Sequence, residues 1–164
     1  MAYLLDTNVF VNAKRDWYGF DFCPAFWDWL DQAHAAGVVA SVEAVYDELI
    51  EYGDELSEWS KARKPFFRPV APDEVASVAA VNRWANDSPA YDPAAKVAFA
   101  SGADSFLIAQ ALSGGHAVVT HEVIKDTRKS IQIPNAAAAL GVPCHLPWHM
   151  LRVEGPRFVL ERVA

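Results

Sequence analysis

Tyr3-Leu-Leu-Asp-Thr-Asn-Val-Phe10 is a short apolar run that breaks into Asp-Thr-Asn and then turns apolar again. Ala2–Leu5 reads as a buried strand that begins almost at residue 1, leaving no amino-terminal extension. Thr7 or Asn8 can cap a short helix through Val9-Phe-Val-Asn-Ala13. A second run of the same kind, His116–Thr120, ends in His121-Glu122. If these runs are neighbouring parallel strands, their carboxyl ends open onto one crevice, where ligands bind in α/β sheets.

The rest of the chain alternates in the same way. A helix is expected from Pro24 through Ala36, stopped by Gly37, and Val38–Ala40 reads as a second strand. Ser41 can cap a helix whose buried stripe is Val42, Val45 and Leu49. Asp54–Arg63 reads as an exposed, charged helix, Pro72 opens another through Trp84, and Asp87–Pro93 is a turn-rich loop. A helix starts near Asp104 and ends at Gly114-Gly115, Pro134–Leu140 is a further helix, and Val142–His145 is a fourth strand. The segment from Pro147 onward is ambiguous. The pattern predicts one α/β domain over residues 1–164, with a central, mostly parallel sheet of four to five strands and helices on both faces. Residues 146–164 form a carboxyl-terminal extension without an assigned structure.

Composition narrows the function classes. Hydrophobic residues make up 52% of the chain, enough for a proper core and unlike a disordered segment. No apolar stretch nears the ~18 residues that span a bilayer, and Asp6 interrupts the apolar start, so neither a membrane anchor nor a secretory signal is expected. Cys23 and Cys144 make no ligand-like cluster, which leaves a reducing cytoplasm as the default compartment. A net charge of -7 weighs mildly against nucleic-acid binding, although Lys61, Arg63, Lys64 and Arg68 cluster, as do Lys125, Arg128 and Lys129.

Four acids sit at junctions between segments: Asp6, Glu48, Asp104 and Glu122. Asp6 could cap the following helix, but Thr7 and Asn8 can do so as well, which favours Asp6 as a metal ligand. Glu48 borders a buried stripe, yet Asp47, Glu51, Asp54, Glu55 and Glu58 show how acidic that region is; its residues leave it even between ligand and solvated charge. Asp104 heads an apolar stripe of Leu107, Ile108 and Ala111, where a carboxylate must desolvate or meet a cation. Several carboxylates converging on one crevice repel each other unless a hard divalent cation neutralises them. Asn8 and Thr7 are candidate supporting donors, and Thr120 can orient a carboxylate or satisfy backbone at the strand end. Glu122 and Asp126 compete as the fourth acid, and His121 is a candidate for substrate contact. His145 and His149 are separated by Pro147, which breaks a helical His pair, and no Cys-x-x-Cys or His-Glu-x-x-His occurs.

Leu5-Asp-Thr-Asn8, Glu48, Ala103-Asp-Ser-Phe-Leu-Ile-Ala109 and Val119-Thr-His-Glu122 together resemble the PIN domain family of metal-dependent ribonucleases. The likeness runs from Tyr3 to about His145 and is closest to an uncharacterised PIN-like bacterial subfamily. It raises Glu48 to a ligand and implies Mg²⁺ or Mn²⁺ held by Asp6, Glu48, Asp104 and Glu122. It further implies endonucleolytic hydrolysis of RNA leaving a 5′-phosphate, and a toxin role restrained by an antitoxin that fills the acidic cleft. Lys61, Arg63, Lys64 and Arg68, interleaved with Phe66 and Phe67, suit single-stranded RNA, but also suit a helix end followed by core phenylalanines. The aromatic block from Trp17 to Trp29 must partly be core, and its density suggests a homodimer or protein interface. Two other readings stand beside the ribonuclease. A haloacid-dehalogenase-like phosphatase also begins with Asp after a first strand, but needs a second Asp where Asn8 stands. A catalytically silent PIN-like module would bind RNA or protein without cutting.

Overall fold

A computed structural model describes residues 1–159. Five short strands form one parallel sheet: β1 (Tyr3–Leu5), β2 (Val39–Val42), β3 (Phe67–Arg68), β4 (Ala117–Val119) and β5 (Cys144–His145), in the order β3-β2-β1-β4-β5. The β1 and β4 strands are apolar along their length, and β2 is so but for Ser41, because both of their faces are covered; Leu4, Leu5, Val39, Val42, Val118 and Val119 are buried. In register, Tyr3 faces Val39 on one side and Ala117 on the other.

The chain leaves β1 toward β2 and leaves β4 toward β5, so the connections part at the β1/β4 pair. Right-handed crossovers then place α2 (Pro24–Ala35), α3 (Glu43–Glu51) and α4 (Glu55–Lys61) on one side. They place α5 (Val75–Asp87), α6 (Pro93–Ser101), α7 (Ala103–Gly114) and α8 (Ile133–Leu140) on the other. The crevice above β1 and β4 is the switch point of the sheet. Helix α1 (Thr7–Asn12), followed by a π-helical turn at Ala13–Trp17, starts at its rim. α7 is the most buried helix; Leu107, Ile108, Ala109, Gln110 and Ala111 are all enclosed, and the left-handed Gly115 ends it. One hydrophobic cluster reaches from Leu4 to Met150.

The structure departs from the sequence reading at five places. Ser41 does not cap a helix: it lies within β2, fully buried, and its Oγ donates to the Leu5 carbonyl at 2.6 Å, so α3 starts at Glu43. Asp6, not Thr7 or Asn8, takes the N-cap position of α1, without a side-chain capping bond. Phe67–Arg68, read as following a helix end, is the edge strand β3, held by the pairing of Ser41 with Phe67. The Pro93–Ser101 helix was not expected; an Ala-rich stretch between a two-proline loop and Ser-Gly shows little periodicity. Pro147–Glu154 of the ambiguous extension is a helix, α9, which buries Met150; residues 160–164 of that extension lie outside the described residues.

Most of the aromatic block is core rather than interface. Phe26 and Trp27 are buried, Tyr18 stacks on Phe26 at 4.4 Å, and Phe20 stacks on Trp27 at 4.1 Å. Trp17 and Phe22 stay exposed.

Candidate metal centre

Asp6 follows β1 directly, and its amide donates to the Val119 carbonyl at 3.0 Å, continuing the β1/β4 ladder by one residue. Its side chain is therefore fixed at the switch point and only 2% exposed. Two donors meet the same oxygen, Oδ2: the Thr120 hydroxyl at 2.8 Å and the Asn8 amide nitrogen at 3.3 Å. Thr120 also accepts from the Glu122 amide at 3.1 Å, so one hydroxyl ties the ends of β1 and β4 together and sets where Glu122 stands. The Glu122 carboxylate accepts the Ile133 amide at 2.7 Å, at the start of α8. There a carboxylate meets the positive end of a helix.

Glu48, half-buried on α3, enters from the other side of the crevice. Its Oε2 takes the Thr7 hydroxyl and its Oε1 faces the Ala103 amide at 3.4 Å, where α7 begins. Asp104 is the next residue. It is half-buried, and among the described residues its carboxyl has no hydrogen-bond donor or ion-pair partner.

Electrostatics joins the four acids. Burial, then the charges of Asp6, Glu122 and Glu48, push the Asp104 carboxyl up to about 8. Burial pushes Asp6 up to about 6; the Thr120 hydroxyl opposes this, and Glu122 and Glu48 add to it. Among the described residues, no Lys or Arg acts on either acid. Both carboxyls thus lack a cation that a cluster of this charge requires for ionisation at neutral pH. Cys144 on β5 feels the same field: burial first, then Asp6 and Glu122, raise its thiol to about 11.

The donor chemistry suits a hard divalent ion, being all carboxylate and hydroxyl oxygen. Spacing is another matter. Among the described residues, no three His, Cys, Asp or Glu side chains are already gathered so as to hold a metal ion. The acids share one crevice, but a coordination shell would require their side chains to turn inward.

The other candidates separate clearly. Asp126 is exposed on the loop after β4 and does not figure among the charges acting on Asp6 or Asp104. His121 is half-buried 5.9 Å from the Trp148 ring; burial lowers its pKa and Asp16 opposes the shift. His145 and His149 stack at 4.6 Å across the start of α9.

Each basic residue considered for RNA contact has an acidic partner. Lys61 pairs with Glu58, Lys64 with Glu43, and Arg68 with Glu74, while Arg68 also meets the His116 ring at 2.8 Å. Arg63 grips Asp31 through two nitrogens at 2.5 and 2.7 Å and lies over Trp59. Phe66 and Phe67 are core. Lys125 and Lys129, on the exposed loop that follows Glu122, have no ion-pair partner among the described residues.

The chain belongs to the DUF4411 family, described as a domain of unknown function, whose model matches residues 3–158. No curated protein and no solved structure matches it. Among the described residues, no helix is long and apolar enough to cross a membrane.

Proposed function

We propose that this member of the DUF4411 family is a metal-dependent endoribonuclease of PIN-like type. Asp6, Glu48, Asp104 and Glu122 would hold Mg²⁺ or Mn²⁺, which would supply Lewis-acid activation and neutralise charge developing at the scissile phosphate. Asp104 carries the reading: burial and the charges of Asp6, Glu122 and Glu48 raise its carboxyl to about 8, and among the described residues it has neither an ion-pair partner nor a hydrogen-bond donor. A carboxyl used only to favour the start of α7 would stand in solvent and ionise normally.

The chain's own groups have separable tasks. Thr120 and Asn8 hold one oxygen of Asp6, and Thr7 holds one oxygen of Glu48, so both carboxylates are oriented before a cation arrives. Lys125 and Lys129, exposed on the loop that follows Glu122, would take phosphates of the strand. The acidic crevice also suits a basic side chain from a protein, which supports a cytoplasmic toxin neutralised by an antitoxin. A second reading has one observation in its favour. Because three acids are not already at ligating separation, the domain could hold RNA or protein without cutting it.

Incubation with generic single-stranded RNA and Mn²⁺ should give cleavage that EDTA abolishes and Asp6→Asn eliminates. Cleavage by the Asp6→Asn protein would place the activity elsewhere. RNA bound but left whole in Mn²⁺ would select the binding module.

A further inference from the structure

Beside the acid crevice lies an apolar pocket of about 160 Å³, bordered by Val9, Trp17, Tyr18, His121, Trp148 and Met150. Two of its lining residues are tied to residues of the candidate metal centre. The Val9 amide donates to the Asp6 carbonyl at 3.0 Å, and His121 immediately precedes Glu122. Among the described residues, no Asp, Glu, Lys or Arg lines it. The two indoles at its mouth are largely in solvent, Trp17 at 58% and Trp148 at 45%, although neighbouring aromatic residues are packed away. The Trp148 ring faces His121 at 5.9 Å and leaves a broad apolar face uncovered.

We propose that this pocket seats an unpaired base of the RNA strand, next to the nucleotide whose phosphate lies at the acids. The inference rests on the reading of the crevice as a phosphate site. Cation-loaded carboxylates take an anion, whereas an uncharged aromatic pocket beside them takes a flat neutral ring. A nucleotide joins those two groups covalently. Stacking accepts any base because every base has a π-face, and it demands an unpaired one, since a duplex offers no free face. Single-stranded RNA is the substrate class that follows, with little preference among bases.

The test uses a phosphorothioate-linked 8-mer RNA of mixed sequence, an abasic version of the same backbone, and the 8-mer annealed to its complement. Binding to the full chain is followed by fluorescence anisotropy in Mg²⁺. The intact single strand should bind more tightly than the abasic strand or the duplex. Trp17→Ala and Trp148→Ala should each weaken it about five- to a hundredfold, the range for loss of one base–aromatic stack. Trp17→Phe and Trp148→Phe should recover most of the loss, and none of the four should change binding of the abasic strand. Equal binding of intact and abasic strands, or alanine variants that bind like the parent, overturns the inference and leaves the pocket to a protein partner. Failure of the parent to bind the single strand overturns it too. Cleavage of natural RNA in Mn²⁺ is scored separately: tryptophan-dependent binding without cleavage removes the nuclease and keeps the base pocket, whereas cleavage with indifferent tryptophans does the reverse.

Discussion

Replacing Asp104 by Asn should make the metal-free protein more stable at neutral pH, the opposite of what most substitutions at a packed site do. The carboxyl titrates near 8 in the fold against 3.8 for the unperturbed group. A raised folded value means that the stability of the protonated form is fully present below pH 4 and is lost as pH rises through about 8. At ~1.36 kcal/mol per unit, the three units between pH 4 and 7 set a ceiling of roughly 4 kcal/mol. Water reaching this half-buried carboxyl raises the local dielectric, so a gain of about 1–3 kcal/mol is expected for Asp104→Asn at pH 7. For a chain of this size that corresponds to roughly 3–10 °C in melting temperature.

Two features give the measurement its power. The gain should shrink toward zero as pH is lowered toward 4, where the carboxyl takes up its proton in the unfolded chain as well and folding no longer binds one. Mn²⁺ should stabilise the parent, by about 2.7 kcal/mol at a hundred times its Kd, and should stabilise the variant less. Because Asp104 and part of Asp6 hold protons at pH 7, metal binding should also release protons, visible as buffer-dependent heats in calorimetry. Thermal melts at pH 4, 5.5, 7 and 8, each with Mn²⁺ or EDTA, decide the matter. If the variant loses a few tenths to about 1 kcal/mol at every pH and responds to Mn²⁺ like the parent, Asp104 serves only its helix terminus.

Thr120→Val removes the donor to Asp6 and the acceptor for the Glu122 amide within a buried site, so it should cost about 1–3 kcal/mol and most of the RNA cleavage. Thr120→Ser should retain both, and a valine variant with full cleavage would show that Asp6 needs no orientation. Arg63→Ala loses an exposed-edge pair with Asp31 and its cover over Trp59, a cost of about 1 kcal/mol or less with RNA affinity unchanged. Lys125→Ala with Lys129→Ala should instead lower RNA affinity and flatten its salt dependence; filter binding at several salt concentrations separates the two sets.

Elements with a strong single signal were legible in the sequence. The Tyr3–Leu5 and Ala117–Val119 strands are continuous apolar runs, and their pairing follows from being buried on both faces. The parallel sheet followed from alternation, and its fifth strand did not, because Phe67–Arg68 is two residues long between Pro65 and Pro69. Propensity there is silent, and pairing with Ser41 decides. Ser41 misled for a related reason: a serine before an apolar stripe reads as a cap, but a buried hydroxyl beside the free Leu5 carbonyl is worth more inside the sheet. Order along the chain, with the PIN likeness for Glu48, anticipated that Asp6, Glu48, Asp104 and Glu122 act on one another through charge; that no three of them stand at ligating separation among the described residues was not legible there. That Arg63, Lys64 and Arg68 are occupied by acids was not legible either, since their partners Asp31, Glu43 and Glu74 come from other segments.

The same contacts explain why this crevice costs stability and persists. Asp6 sits where β1 ends, its amide tied to β4 and its side chain 2% exposed, so its charge is desolvated by its place in the fold. A hydrophobic residue there would remove that penalty. Instead the fold spends two donors, Thr120 and Asn8, on one of its oxygens, and a third, Thr7, on Glu48, while giving Asp104 none. Donors alone hold Asp6 near 6 rather than at an ordinary carboxylate value. Restoring the charge on Asp6 and Asp104 therefore requires something positive in the crevice, and no Lys or Arg among the described residues reaches either of them. A bound cation or an inserted basic side chain from a partner meets that requirement, and either would raise the folding stability by as much as it favours the ionised state.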